Sequence, residues 1–164
     1  MSKYNHVLQK IYSSVDALKN TVTNWQQQGN KVVFTNGCFD LLHRGHVDYL
    51  TKAADLGNKL IIGVNTDASV SGLKGPHRPI QDEQSRLQIL ASLEAVDAVI
   101  LFGEETPYDL IKTLQPDVLV KGSDYKPENI VGYDVLTAKG GEVKTIDFLP
   151  GFSTSLIEQK IKNT

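Results

Sequence analysis

At 164 residues, with 40% apolar and 22% charged residues, the chain has the size and composition of one soluble domain with a single core. A formal charge of −2 without any basic run argues against an electrostatic nucleic-acid binder, and no apolar run is long enough to span a bilayer. A lone cysteine, Cys38, excludes an intramolecular disulfide, and the polar start from Met1 to His6 lacks the apolar stretch of a secretory signal, so a reduced, cytoplasmic setting is expected.

In chain order, Val15, Leu18, Val22 and Trp25 mark one face of an amphipathic helix over Ser14–Gln28, with Gly29 as its stop and a weakly marked shorter helix before it. Residues 1–30 thus read as an N-terminal helical extension. Lys31–Asn36 is a β-branched run of strand length, followed by a helix over Gly45–Leu56 with Gly57 as its C-terminal glycine. Lys59–Asn65 is a second, fully buried strand. Asp82 caps a helix through Glu94, and Ala98–Phe102 is the third strand. Thr106 and Pro107 open a helix to Leu114 as N-cap and first-turn proline; Val118–Lys121 is the fourth strand. A helix within Pro127–Lys139 stops at Gly140-Gly141, Glu142–Phe148 is the fifth strand, and Ser155 with Glu158 fits a capping box for the last helix. Repeated strand–helix alternation predicts an α/β fold, a doubly wound parallel sheet whose ligand lies beyond the carboxyl ends of the strands where their order reverses.

The loop after the first predicted strand carries the chemistry. His43 and His46 stand three apart at a helix start, with Gly45 between them removing a side chain, so both imidazoles can face one anion at the positive end of the helix. That arrangement suits charge building up on a phosphoryl group. Other readings compete. A metal site would need a third ligand beside the two histidines, with Asp40 the near candidate, and Cys38 has the form of a nucleophile but lacks a helper base other than these histidines; a turn residue is the plainer role.

Gly37-Cys38-Phe39-Asp40-Leu41-Leu42-His43-Arg44-Gly45-His46 resembles the signature of the cytidylyltransferase-like nucleotidyltransferases, and its His-x-Gly-His resembles the element shared with class I aminoacyl-tRNA synthetases. Further segments come in family order: Asn65–Val70, Leu73–Pro76, Arg78-Pro79, Leu93–Asp97, Thr106-Pro107, Pro116–Gly122 and Gly140–Val143. Together they resemble the D-glycero-β-D-manno-heptose 1-phosphate adenylyltransferases, from about Lys31 to Ile161, so residues 31–164 read as a Rossmann-like nucleotidyltransferase domain.

The resemblance implies that a sugar 1-phosphate attacks the α-phosphorus of ATP, with Mg²⁺, and that pyrophosphate leaves. It implies catalytic roles for His43, His46, Lys74 and Arg86, with Lys74 in a glycine-flanked loop and Arg86 reaching phosphates from its helix. Nucleotide contacts fall to Asn36, Gly37, Cys38, Phe39, Gly45, Lys121, Gly122, Asp124, Ser153 and Thr154; substrate contacts fall to Asp40, Asp67, Lys74 and Arg78. No resident metal, nucleic acid or membrane is implied, and an exposed face on the leading helix would make a homodimer the expected assembly. The sequence departs from the broader family where Leu149-Pro150 stand in place of Arg-Thr before Gly151–Ser155, and it lacks both a Gly-x-Gly-x-x-Gly and a Walker loop. The kinase half of fused relatives is absent, so a separate kinase is expected to supply the sugar phosphate. The competing functions are cytidylyl transfer to glycerol 3-phosphate or phosphoethanolamine, and a non-catalytic nucleotide-binding module.

Overall fold

The computed structural model describes all of residues 1–164. Six strands form one all-parallel sheet: β1 (Ile11–Tyr12), β2 (Val32–Gly37), β3 (Lys59–Asn65), β4 (Ala98–Phe102), β5 (Val118–Gly122) and β6 (Glu142–Ile146), in the order β1-β4-β3-β2-β5-β6. The chain runs outward from β2 through β3 to β4, then returns to lay β5 on the other side of β2. The reversal therefore lies between β2 and β5, and their carboxyl ends frame the cleft that the doubly wound reading anticipates.

Period-two alternation splits the apolar residues between the two faces. Val32 and Phe34 join Leu18, Val22, Ile61, Ile111 and Leu136 under α2 (Val15–Gln27), α6 (Tyr108–Leu114) and α7 (Tyr133–Lys139). Val33 joins Leu50, Ala53, Ile62, Leu87, Leu90 and Val120 under α3 (Arg44–Ala54) and α5 (Glu83–Ala91). At the opposite end from the cleft, Asp117 Oδ2 accepts the Val32 N–H at 2.9 Å and Asp97 Oδ2 accepts the Leu60 N–H at 2.9 Å, closing the strand starts. No helix is long and apolar enough to cross a membrane.

The residues before 31 are more than a helix leading in. α1 (Lys3–Gln9) forms, Ile11–Tyr12 pairs in register with Val99–Ile100 as an edge strand, and α2 buries Leu18 and Val22 completely. Several local expectations are corrected. Residues Asp67–Lys74 form helix α4, capped by Thr66 accepting the Ser69 N–H, so Lys74 ends a helix and does not sit in a loop. Gly57 does not cap by a left-handed turn; a Cβ there would stand 2.5 Å from the Lys31 carbonyl, so close approach is what requires glycine. Pro107 is itself the N-cap of α6, without help from Thr106. Ser153, two residues before the expected Ser155, caps α8 (Thr154–Lys162) by accepting the Leu156 N–H at 3.1 Å. α5 stops at Ala91 and β6 at Ile146, both short of their expected ends.

Candidate active site

The loop from β2 into α3 is built around its two histidines. His43 is the N-cap of α3, and its Nδ1 accepts the Gly45 N–H at 3.1 Å; the His43 N–H in turn points at His46 Nδ1 at 3.4 Å. The rings stack with centroids 3.8 Å apart, and Phe39, buried and at φ 49°, meets His46 edge-on at 5.2 Å. Nδ1 of His43 accepts from the Gly45 backbone, so its neutral ring carries the proton on Nε2 and is a donor, while the His46 ring is held by the His43 N–H and the Leu41 backbone carbonyl. Both rings stay neutral at physiological pH. Burial pushes the His46 imidazole down to about 4, helped by neighbouring His43 and Lys74, and burial also lowers His43. Gly45 is needed where it stands: a Cβ would come within 3.0 Å of the His43 ring and 3.1 Å of Phe152 Cβ.

These side chains open on a cleft of about 480 Å³ at the carboxyl ends of β2 and β5. The structure brings together there Asn36, Gly37, Cys38, Phe39, Asp40, His43, Gly45, His46, Lys74, Lys121, Gly122, Asp124, Ser153 and Thr154. Lys121 arrives on the end of β5; burial lowers its ammonium pKa, and Asp124 opposes the shift. Asn36 Oδ1 is buried without a partner.

Asp67, Arg78 and Arg86 do not line the cleft. Arg86 is 1% exposed, and all three guanidinium nitrogens are engaged: Nε on the Gln81 carbonyl at 3.1 Å, Nη1 on the Cys38 carbonyl at 2.7 Å, Nη2 on Asp67 Oδ1 at 2.8 Å. It is a strut beneath the motif loop, and Asp67 is its counter-ion at the start of α4. Arg78 donates from Nε to Asp40 Oδ2 at 2.6 Å. Asp40, although on the cleft wall, has both oxygens committed, since it also accepts the Ile80 and Gln81 N–H groups. These bonds outweigh the cost of burial and hold its carboxyl below the usual range. Nearly fully buried and held by three donors, it serves as a brace for the loop, poorly disposed to bind a substrate or to complete a metal site with the histidines. No group of three or more His, Cys, Asp or Glu side chains gathers in a metal-holding arrangement.

Four aromatic residues of the cleft are not marked by the sequence reading: Tyr49, Tyr125, Phe148 and Phe152. Tyr49 does carry a signal, since it follows His46 by three on α3 and so shares its face. Its hydroxyl lies 2.9 Å from Thr35 Oγ1, and burial raises its pKa to about 12. Phe148 stacks on Tyr49 at 6.0 Å, and its ring lies where a Cβ on Gly122 would stand.

Cys38 is half-buried, its Sγ 3.7 Å from Asn65 Oδ1, and no base is positioned on it. The part of Cys38 that the structure uses is its carbonyl, held by Arg86. Cys38→Ala should therefore keep most of the activity measured for the wild type; complete loss with an unchanged circular dichroism spectrum would restore the thiol to the mechanism.

A doubly wound sheet with paired histidines at the first helix of its switch-point cleft defines a cytidylyltransferase-like protein. The Cytidylyltransferase-like family matches residues 34–160, and the chain belongs to it. Among individual proteins, it is 55% identical over 148 residues to the bifunctional protein HldE of Methylobacillus flagellatus, covering 90% of this chain and 30% of that protein. It is 52% identical over 152 residues to the protein of the same name in Nitrobacter hamburgensis, covering 93% and 31%. The chain thus spans about 30% of the length of these curated relatives. Among solved structures, the lipopolysaccharide core biosynthesis protein of Thermoplasma volcanium aligns with TM-score 0.58 at 29% identity, over 74% of this chain and 98% of that one. The pantoate–β-alanine ligase of Francisella tularensis, at 17% identity and TM-score 0.61 over 93% and 76%, shares the fold.

Proposed function

We propose that the chain transfers the adenylyl group of ATP to D-glycero-β-D-manno-heptose 1-phosphate, releasing pyrophosphate and ADP-heptose for lipopolysaccharide core synthesis. The observation that carries the reaction class is the stacked pair of imidazoles at the start of α3, facing Lys74, Lys121 and the hydroxyls of Ser153 and Thr154 across one cleft. A sugar phosphate oxygen attacks the α-phosphorus; a new P–O bond forms as the bond from that phosphorus to the β-phosphate bridge breaks, and the electron pair leaves on pyrophosphate. The attacking oxygen is already ionised, so no general base is needed. What the site offers is positioning and stabilisation of charge, the main sources of catalysis in phosphoryl chemistry.

His43 and His46 would donate to the α-phosphate and the departing oxygens, and Lys74 and Lys121 would neutralise the triphosphate and the incoming phosphate. Asp124, on the cleft wall just past β5, would contact ribose or sugar hydroxyls. Arg86, Asp40, Arg78 and Asp67 would act by holding the loops. A divalent cation, taken as Mg²⁺, fits as a companion of the nucleotide's phosphates, the usual way this ion binds, and would lessen their repulsion. The adenine and the heptose rest on the family segments from Asn65 to Glu142 and on the similarity to the HldE proteins.

The test compares kcat/KM by pyrophosphate release. ATP with the heptose 1-phosphate should exceed CTP with glycerol 3-phosphate or phosphoethanolamine. A higher value for a CTP pair would overturn the adenylyl assignment, and turnover of ATP only with another sugar 1-phosphate would overturn the heptose.

A further inference from the structure

Helix α8 brings the Phe152–Ser155 turn to the rim of the cleft, yet none of its own residues is buried. Phe152 is held at its base, beside Gly45 and with the Arg44 guanidinium 5.4 Å from its ring centroid. Farther along, one side-chain hydrogen bond ties α8 to the rest of the molecule: Arg78 Nη1 donates to Glu158 Oε1 at 2.9 Å. The Arg78 end is rigid. Its Nε is on buried Asp40, which also grips the backbone of Ile80 and Gln81, and the Arg78 side chain is only 12% exposed. Its Nη2 is buried with no partner at all. The guanidinium is thus largely desolvated and only partly satisfied, and Glu158 is the one acceptor that α8 offers it. An ion pair therefore links the fixed floor of the motif loop to a helix that little else holds down.

We propose that Arg78 and Glu158 form a latch that seats α8 against the cleft, so that breaking this one pair frees the Ser153–Ser155 turn from the polyphosphate site. The latch rests on the adenylyl-transfer reading for what it gates, the entry of the triphosphate and the exit of pyrophosphate. Arg78 is then a positioning residue, acting through α8 while touching no substrate. Closure of this kind commonly sets binding and release rates more than the chemical step.

The test begins without any nucleotide. Hydrogen exchange of residues 154–162 is compared in the wild type, Glu158→Gln, which keeps an acceptor but not the charge, and Glu158→Ala. Loss of a charge-assisted bond should speed exchange in α8 roughly tenfold or more in the alanine variant, less in the glutamine variant, with the sheet unchanged. The same proteins are then titrated with α,β-methylene ATP. Affinity should fall in the same order, with KM for ATP rising more than kcat changes. Unchanged exchange in α8 would overturn the latch, and faster exchange with unaltered analogue affinity would overturn the gating. A wild type that binds no analogue would sink the adenylyl reading and the gating with it, while the exchange data alone would still decide whether the latch exists.

Discussion

His46→Ala should lower kcat about a hundred- to a thousand-fold while changing the affinity for ATP little, since the role proposed for this ring is to stabilise charge that develops only in the transition state. The ring is held in one orientation. Its Nδ1 faces the His43 N–H, His43 stacks on one face and Phe39 braces an edge. Near wild-type kcat would remove His46 from the mechanism. The same variant carries a pH signature. The folded protein keeps His46 neutral down to about 4, whereas an unfolded histidine takes a proton near its ordinary value of 6.5. The unfolded chain therefore binds more protons in that window, and wild-type stability should fall as pH drops from 6.5 towards 4. Equilibrium unfolding of His46→Ala should show a shallower fall over the same range.

Arg86→Ala should act on the fold first. A buried guanidinium with three engaged nitrogens leaves the Cys38 and Gln81 carbonyls unpaired when it goes, and breaking buried ion pairs costs about 3–5 kcal/mol. Asp67 is 41% exposed and can be rehydrated, so about 3 kcal/mol is expected, a loss of roughly 6–12 °C in Tm for a chain of this size. Arg86→Lys should recover only part, since one ammonium cannot reach three acceptors set apart. Thermal unfolding with parallel kinetics separates the two roles. Lost activity with an unchanged Tm would mean that Arg86 works on phosphate directly and not as a strut.

The contrast between His46 and Arg86 shows where the sequence is legible. The histidine pair, its glycine and the helix start are local, and their spacing alone puts them on one anion-facing turn. The long apolar strands Lys59–Asn65 and Ala98–Phe102, and with them the doubly wound topology, are readable because burial on both faces demands continuous apolar runs. Ile11–Tyr12 is not, since two residues carry no period and the strand exists only because β4 offers it an edge. α4 is hidden by Gly72 and two serines, poor helix formers that the Thr66 cap and the packing of buried Val70 override. The sequence reading puts Arg78, Arg86, Asp40 and Asp67 on substrate because a charged residue near a phosphate site reads the same whether it points at the ligand or holds up the loop. Only the folded chain shows that their charges go to one another, to backbone and, for Arg78, to Glu158 of α8. Ser153 and Thr154, by contrast, reach the cleft as expected, although the helix cap falls two residues earlier than its spacing suggests.

Oxygen labelling tests the proposed reaction most directly. Heptose 1-phosphate carrying ¹⁸O in its non-bridging phosphate oxygens is incubated with ATP, Mg²⁺ and the protein, and the products are read by mass spectrometry. Attack of that phosphate on the α-phosphorus of ATP predicts ADP-heptose that keeps all of the label, beside unlabelled pyrophosphate. Labelled inorganic phosphate in place of labelled ADP-heptose, which would mean that the sugar simply loses its phosphate, or the absence of labelled ADP-heptose, would contradict it.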